Sequence, residues 1–595
     1  MLVPLISLVL GSFLLLISFL SYTNNPILKN VQWLFKLKSN LHLFWGINLI
    51  ALTLILGIFG YLNYIDASLL RPIRYILAIM GLGLISLHLL RKFIPLKPFL
   101  KFLKIKNILT IFSVAILVSI FLIAFFDANY GGDAFMYHVP FAARIWGIIS
   151  PEQYTFEDNI ENRLLGFPLL TNFLQGFFWK ILNRPEATNL VCYFSLIVFI
   201  SYLTSYLKIP FYLSTIALLA VPMVHMHAAR SYIDLPSNVG VSILILTTYL
   251  LYANRVQFNH KTFLKIVLSG AIAANSKFQL IPIVFLVLCF LFPQVINKYW
   301  KINGNGKKDL RALSKTLLLC FLASTIIFAT PIKNTLVYQN PFYPVKIEIA
   351  GKVLNHNETK PNFMHQNLRN LPPPLRWGKS ILEIDAFDDR RPWKWTLAMD
   401  FISWDQERFG IGGYFGGYVI FNLILFLYIV CTNRDCESKI AALLLVIMTP
   451  ITSILPQSYE LRYYMYWMIV LVSLNCYLVC SLVDKSSKNK QWINPKNFAL
   501  IATGFMLVFM AQTRYFFTIP EFASFESQLK RTDIIDQNIL RNIKDGEKVC
   551  LVHKVPNTFL YNSYFHPPRN YSVKAEFNLG EEFVQEQCKG RRIIE

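Results

Sequence analysis

The stretch Asp127-Ala-Asn-Tyr-Gly-Gly-Asp-Ala-Phe-Met-Tyr-His-Val-Pro-Phe-Ala-Ala-Arg144 comes directly after the apolar run 108–126. That run is long enough to cross a bilayer, which takes about 20 residues as a helix. Two carboxylates, Asp127 and Asp133, therefore stand where a hydrocarbon span ends. Ionisable groups at membrane depth are costly and usually face a polar cavity, so both are candidates for a functional site.

The residues around Asp133 predict a turn followed by a helix. Glycines 131 and 132 allow a tight turn. Asp133 then stands where a short acidic side chain caps the helix that Ala134 begins. Pro140 lacks an N–H and crowds the preceding turn, so a kink is expected there. On this interpretation Asp133 caps a helix that lies on the membrane.

A second interpretation gives the same stretch a chemical role. At about 100° per residue, Asp133, Tyr137 and Arg144 fall close to one line on an α-helix. An acid, a phenol and a guanidinium on one face at a membrane surface suit a reaction on a charged lipid head group. The local sequence leaves both interpretations open.

Composition places the chain among polytopic membrane proteins. The 595 residues are 55% hydrophobic, the mean hydropathy is +0.45, and several apolar runs exceed the roughly 18 residues of a spanning helix. The net charge of +23 would suggest nucleic acid in a soluble chain. Here an excess of Lys and Arg in cytoplasmic loops explains it, so nucleic acid is not an expected partner.

We predict an all-α membrane protein with about fourteen spans. No Lys or Arg precedes the first run, which is therefore interpreted as a retained span rather than a signal peptide. Basic loops follow the third, ninth and thirteenth spans, and all three fall on the cytoplasmic side. The predicted spans are 3–22, 41–62, 72–91, 107–126, 188–207, 210–224, 237–253, 263–275, 279–293, 313–331, 414–431, 438–455, 462–483 and 497–513.

This topology sends four segments to the outer face: 127–187, 225–236, 332–413 and the tail 514–595. The first contains an apolar stretch, 164–182, that is expected to lie on or dip into the interface. The tail predicts a small α/β module, with helical periodicity over 521–543, a turn at 545–546 and a strand over 548–553. Cys550 and Cys588 are candidates for a disulfide in an oxidising compartment.

Other span ends on the predicted outer face carry a further set of charged groups, Asp234, Lys277, Lys333, Glu460 and Arg462. Each has a plain explanation. The cations can be anchors that reach back to the interface, and Asp234 can favour the start of its helix. A pair of histidines at 225 and 227 is poorly spaced for a metal on a helix, and no third ligand is near in sequence.

Several short motifs together resemble the integral-membrane glycosyltransferases of the C-type (GT-C) fold. The similarity covers about residues 107–515. Among the enzymes with this fold, the chain resembles the bacterial branch related to protein O-mannosyltransferases and aminoarabinose transferases. The resemblance implies a catalytic core at 107–513 and additional transmembrane helices at 1–106. Its motifs are Gly-Gly-Asp133-Ala-Phe-Met-Tyr137-His138-Val-Pro140, Asp234-Leu-Pro236, Lys333-Asn334 with Asn340-Pro-Phe-Tyr-Pro344, and Glu460-Leu-Arg462-Tyr-Tyr464.

The resemblance also implies an activity and roles for single residues. Such enzymes take a sugar from a polyprenyl-phosphate carrier on the outer face and pass it to an acceptor. Asp133 corresponds to the catalytic base, with Asp234 and Asp127 as further acidic candidates. The remaining candidates would contact the donor phosphate, the sugar or the acceptor, and they are Lys277, Lys333, Arg462, Arg144, Tyr137, His138 and Glu460.

The expected partners are a polyprenyl-phosphate sugar donor, membrane lipids, and a glycan, lipid or protein acceptor. The expected location is the cell (plasma or inner) membrane, with the active site on the extracytoplasmic face. Because a lipid phosphate is a good leaving group, no cofactor is required, although the sequence leaves a divalent cation open. Alternatives are a lipid-linked glycan ligase, a transporter or flippase of polyprenyl-linked sugars, and a structural subunit; the transporter lacks the internal repeat typical of that class.

Overall fold

The structure is a computed structural model. It describes residues 41–61, 73–74, 76–86, 105–128, 132–300, 310–349, 351–358, 366–382, 413–433, 435–485, 493–512, 520, 522–531, 534–552, 557–576 and 581–594. Within these residues the chain is mostly helical. The predicted first span and most of the three basic loops lie outside the described residues.

The chain divides into two compact units, residues 1–110 with 179–183, and residues 111–178 with 184–595. In the first unit, the helix Leu41–Tyr61 packs against the helix Ile76–Ser86. The two backbones approach closely where glycines face each other. A Cβ placed on Gly46 would lie 2.8 Å from the carbonyl oxygen of Gly81, so a larger residue there would push the helices apart.

The described residues contain five helices that are long and apolar enough to cross a membrane, or six if one bent pair is counted as a span. This confirms a helical chain with several potential membrane spans, while the count of fourteen stays a prediction. The bent pair is Leu310–Ile327 with Ala329–Tyr338, which meet at 70°. The five helices are Ile105–Phe126, Pro185–Ser205, Asp234–Tyr252, Phe278–Ile296 and Cys436–Ile454.

The predicted sixth span, 210–224, is two helices, because Pro222 begins a new helix at a position where its missing N–H costs nothing. The helix that follows Phe278 continues to Trp300, further than predicted. The other helices of the described residues are Val139–Ile145, Asp158–Gly166, Leu170–Leu182, Phe211–Leu219, Pro222–His227, His260–Ala274, Gln366–Arg369, Pro373–Leu382, Gly416–Thr432, Tyr466–Lys485, Pro495–Gln512, Phe525–Arg531, Gln537–Asn542 and Glu581–Gln587.

The helix Asp234–Tyr252 is the centre of the second unit. Its spanning window is 89% buried, and it packs against the helices Leu190–Ser205, His260–Ala274, Ile281–Trp300 and Tyr466–Lys485. Its buried hydroxyl and amide side chains donate mainly to carbonyls of the preceding turn, which satisfies them without water. The first residue of this central helix is an aspartate, so its carboxylate is held inside the protein.

The segment 132–146, here called the Asp133 segment, differs from the predicted α-helix. Ala134–His138 form a π-helical turn, and an α-helix follows from Val139 to Ile145. Pro140 has no N–H and cannot donate to the carbonyl one turn earlier, so one helical hydrogen bond is missing there. The wider π-helical turn lies at this gap in the hydrogen-bond pattern. Asp133 makes no capping hydrogen bond, so the capping interpretation is wrong.

The tail module, defined as the described residues of 522–594, confirms the predicted strand over 548–553, and its sheet contains three further strands that were not predicted. Its sheet is parallel, and neighbouring strands follow the order 154–155, 572–576, 548–552 and 592–594. The first strand comes from the first outer loop and not from the tail. The strands are β1 (Tyr154–Thr155), β4 (Lys548–Val552), β5 (Ser572–Glu576) and β6 (Arg592–Ile594), and a separate hairpin consists of β2 (Glu348–Ile349) and β3 (Lys352–Val353).

The predicted disulfide is confirmed. Cys550 and Cys588 are bonded, with a Cα–Cα distance of 5.7 Å, inside the range that such a bridge requires. The pair joins β4 to the last helix of the tail module, Glu581–Gln587, and it lies in the module's small apolar core. A disulfide here fits an extracytoplasmic location for the tail, because such bridges persist in oxidising compartments.

The predicted orientation can be tested by labelling single cysteines in intact cells. The sequence suggests labelling at 155 and 350 and protection at 99 and 305. Thr155 is half-buried in β1, so the exposed neighbour Glu152 is the better position to test the predicted outer side. Gln257 is exposed and lies on the predicted inner side. We expect an impermeant thiol reagent to modify Glu152→Cys and to spare Gln257→Cys until the cells are opened. Labelling of Gln257→Cys in intact cells would reverse the orientation.

Candidate active site

Asp133 forms an ion pair with Arg462, a residue 329 positions away in sequence. The Arg462 Nη1 donates to the Asp133 Oδ2 at 2.6 Å. The side chains remain 27% and 16% exposed, so a ligand can reach both partners. Burial alone would raise the pKa of Asp133, but the charge and hydrogen bond of Arg462 outweigh it and hold that pKa below its usual value.

Asp234 and Lys277 form a second ion pair. The Lys277 Nζ donates to the Asp234 Oδ1, and both side chains are almost fully buried, at 6% and 2% exposure. The central helix presents Asp234 at its first turn, where the helix dipole favours a negative charge. Lys277 follows the helix His260–Ala274. A buried charge is tolerated only when it is paired, and each of these two residues provides that pairing for the other.

The two ion pairs are neighbours. The Lys277 ammonium lies 3.8 Å from the centre of the Tyr463 ring, and the Arg462 guanidinium lies 5.0 Å from the same centre. Asn238, one turn into the central helix, donates both to the Asp234 carbonyl at 2.8 Å and to the Arg462 carbonyl at 3.3 Å. The structure thus brings together carboxylates and cations from four separate segments, and we call Asp133, Asp234, Lys277, Glu460 and Arg462 the charge cluster.

Glu460 is the third carboxylate of the charge cluster. Its Oε2 lies 3.9 Å from the Arg462 Nε, on the guanidinium edge that Asp133 does not use. Burial raises the pKa of Glu460, with the nearby Arg462 opposing the effect. Arg462 therefore stands between two carboxylates of different character. Asp133 is held ionised, whereas Glu460 keeps its proton to a higher pH than an exposed glutamate.

Tyr137 and His138 adjoin the charge cluster. The two rings are 4.3 Å apart, and Tyr137 is within electrostatic range of Asp133 and Arg462. The His138 Nδ1 lies 3.3 Å from the Asn172 amide nitrogen. Burial lowers the pKa of His138 to about 4, so its ring is neutral at neutral pH. A neutral histidine and a phenol suit contacts to sugar hydroxyls.

The structure separates Arg144 from Asp133 and Tyr137. Its Nη2 donates to the Tyr154 carbonyl at 2.6 Å, it stacks on Phe156, and it lies 3.7 Å from a Glu161 oxygen. Asp133, Tyr137 and Arg144 were expected on one face of an α-helix, where each residue turns the chain by about 100°. This angle does not apply in a π-helical turn, so the expected alignment is wrong. Arg144 is therefore a structural link of the first outer loop.

Lys333 and Asp127 are also not part of the charge cluster. The Lys333 ammonium donates to the carbonyl of Leu165, and Lys333 lies on the helix after the 70° bend. Asp127 ends the helix Ile105–Phe126 and accepts from the Asn189 side chain through its backbone carbonyl at 3.0 Å. Of the predicted phosphate-binding cations at span ends, Lys277 and Arg462 converge with Asp133, whereas Lys333 does not.

Three polar neighbours were not predicted from the sequence, namely Tyr232, Asn172 and Gln175. Tyr232 stands between the Arg462 guanidinium, at 5.7 Å, and two histidine rings. One of these, His227, is fully buried, and neither ring nitrogen has a hydrogen-bond partner among the described residues. Asn172 and Gln175 are buried on the helix Leu170–Leu182, three residues apart. Two polar residues spaced three apart within an apolar stretch lie on the same side of a helix. This spacing could have predicted that one face of the helix is polar and points into the protein.

Among the described residues, no group of three or more His, Cys, Asp or Glu side chains is arranged to hold a metal ion. An apolar cavity of about 100 Å³ lies between the helices His260–Ala274, Ile281–Trp300 and Leu310–Ile327. None of the predicted site residues lines it. The charged chemistry and the apolar cavity are therefore separate features.

Comparison with known proteins gives no match to a family model, to a curated protein or to a solved structure.

Proposed function

We propose that the chain is a membrane glycosyltransferase that takes a sugar from a polyprenyl-phosphate donor and passes it to an acceptor on the extracytoplasmic face. One observation carries the proposal. Two ion pairs, Asp133–Arg462 and Asp234–Lys277, join at one place at the ends of apolar helices. Buried charge at such a depth is expensive and typical of a substrate site. The resemblance of the motifs to C-type glycosyltransferases supports the same conclusion.

The arrangement supplies the two requirements of glycosyl transfer. An acceptor hydroxyl needs a base that takes its proton, and a departing phosphate needs cations near its growing charge. The ion pair with Arg462 makes Asp133 a weak base. A donor phosphate that binds the guanidinium would compete with this carboxylate and release it to accept the proton. Lys277 would add a second positive charge beside the leaving group.

Glu460 has a role compatible with a bound phosphate. An ionised carboxylate beside a phosphate would repel it, whereas a protonated one donates a hydrogen bond. Burial raises the pKa of Glu460, which favours that protonated form. Tyr137 and His138 belong to the same π-helical turn that follows Asp133 and would contact the sugar or the acceptor. The transfer itself is tested by comparing the glycans and lipid-linked sugars of cells with and without the chain, where one glycan should lose a sugar.

Removing the Arg462 side chain should weaken donor binding. Hydrogen bonds to charged groups contribute about 1.5–3 kcal/mol, so we expect Arg462→Ala to raise the Kd for polyprenyl phosphate about 10- to 150-fold. The measurement is lipid binding by purified protein in nanodiscs. Lys346→Ala removes an exposed cation of the predicted outer segment 332–413 and serves as the control, with no expected change.

Lys333→Ala distinguishes the cations suggested by the sequence from those in the charge cluster. Because Lys333 contacts the Leu165 carbonyl and not the cluster, its replacement should leave the Kd unchanged. A Kd that rises for Lys333→Ala but not for Arg462→Ala would contradict the assignment of the phosphate site.

A further inference from the structure

We propose that the tail module clamps the Asp133 segment in place, and that Gln528 is the positioning residue of this clamp. The inference rests on the proposed function only where it assigns a catalytic role to Asp133. Contacts from the tail reach the chain before Asp133, within the segment itself, and after it. Each set of contacts involves different residues.

After the Asp133 segment, the chain enters the sheet of the tail module. The β1 residues Tyr154 and Thr155 pair in parallel with Val573 and Lys574 of β5. The Val573 N–H donates to the Gln153 carbonyl at 2.9 Å. A two-residue strand has no stability of its own, so β1 exists because the tail supplies its neighbour.

Tyr154 connects this strand back to the Asp133 segment. Its side chain is buried in the tail module, where the hydroxyl lies 3.3 Å from the Thr558 hydroxyl and the ring meets Phe559 edge to face at 5.1 Å. Its carbonyl accepts the Arg144 guanidinium at 2.6 Å. Since Arg144 is in the last turn of the helix Val139–Ile145, the end of the segment is fixed through Tyr154 to the tail.

Before the segment, Gln528 makes the corresponding attachment. Its side chain is buried, and its Oε1 accepts from the Ala128 N–H at 2.7 Å. Its Nε2 donates to the Phe126 carbonyl at 2.7 Å and to the Ala523 carbonyl at 3.1 Å. One amide thus satisfies a donor and an acceptor of the backbone at the point where the spanning helix ends. The geometry points to Gln528 as the fixed attachment at the end of the spanning helix, five residues before Asp133.

Aromatic contacts complete the attachment within the segment. Phe135, two residues after Asp133, is buried and lies 6.3 Å from the ring of Phe525. Phe126 meets Phe522 edge to face at 5.0 Å. These contacts hold the backbone on either side of Asp133. The Asp133 carboxylate itself points to Arg462, so the described tail residues position the group without touching it.

The separation between clamp and charge cluster predicts a specific kinetic result. Lys277 and Arg462 belong to other segments, so loosening the clamp should spare donor binding and impair the proton transfer. We expect Gln528→Ala to lower kcat about 10²-fold, the size associated with a misplacement near 1 Å. The Kd for polyprenyl phosphate should stay within about twofold of the parent value.

Hydrogen–deuterium exchange of the full chain in nanodiscs tests the clamp and does not depend on an activity assay. Because Gln528→Ala removes two backbone hydrogen bonds, we expect amides of 126–146 to exchange about 10- to 30-fold faster. Gln528→Glu keeps the acceptor for Ala128 and should give an intermediate rate. Lys530→Ala, on the same helix, breaks only an exposed ion pair with Glu526 and should leave these amides unchanged.

Unchanged exchange of the β4 amides, Lys548–Val552, in each variant shows that the tail is still folded. Unchanged exchange at 126–146 in a folded Gln528→Ala protein would overturn the clamp, as would equal acceleration in Lys530→Ala. If Gln528→Ala does not fold, the same comparison is made with Gln528→Glu. Faster exchange in a chain whose parent form binds no polyprenyl phosphate would support the clamp and refute the proposed function.

Discussion

We expect Asp133→Asn to reduce sugar transfer about 10² to 10⁴-fold, the usual loss when a general base is removed. The amide keeps an oxygen that can accept from Arg462, so the ion pair becomes a neutral–charged hydrogen bond rather than a cavity. Expression and thermal stability should therefore stay close to those of the parent. Asp133→Ala should be equally inactive and less stable. The measurement is the transfer rate from a polyprenyl-phosphate sugar at matched protein amounts.

Asp158→Asn is the matched control, because it makes the same change at an exposed position of the same outer loop. It should transfer sugar at the parent rate. The structure has already removed the capping explanation, since Asp133 makes no capping hydrogen bond. Transfer at the parent rate by Asp133→Asn would exclude Asp133 as the base, and Asp234 and Asp127 would then be tested in the same way.

The second large effect is expected at the buried pair Asp234–Lys277. Removing one member leaves an uncompensated charge inside the protein, which typically costs about 3–5 kcal/mol. We expect Lys277→Met and Asp234→Asn each to lower the midpoint of thermal unfolding strongly in a common detergent. The double variant removes both charges and should recover more than half of the loss.

An exposed pair provides the comparison. Lys530 and Glu526 are one turn apart and largely solvent-exposed, and such pairs contribute less than about 1 kcal/mol. Lys530→Met should therefore change the midpoint little. If the effects of the two single variants at Asp234 and Lys277 simply add in the double variant, the two side chains do not depend on each other for stability.

Periodicity and hydropathy were sufficient to predict those helices and strands whose formation depends on local sequence. The apolar run after residue 107 is a helix that ends at Phe126, and Lys548–Val552 is a strand. Both patterns reflect burial of consecutive side chains against lipid or a small core, which the sequence records directly. The disulfide followed from the number and compartment of two cysteines in one module.

Pairings over long sequence separations could not be predicted in the same way. Lys277 and Lys333 look alike as cations at span ends, yet one meets Asp234 and the other a backbone carbonyl. The difference depends on the 70° bend after Ile327 and on packing around the central helix, and neither is encoded locally. At 134–138 the sequence predicted a kink from Pro140, but it did not predict that the kink would be a π-helical turn.

The shared sheet also has a consequence for synthesis of the chain. The Tyr154 and Thr558 hydroxyls that meet in it are 404 residues apart, so β1 leaves the ribosome long before its neighbours exist. At about 5–20 residues per second, the wait is roughly 20 to 80 s. During that time the loop that carries Asp133 has been synthesised but has no partner strand. A chain that ends before residue 546 would lack β4, β5 and β6, so β1 gains its sheet neighbours only after the tail module has been synthesised.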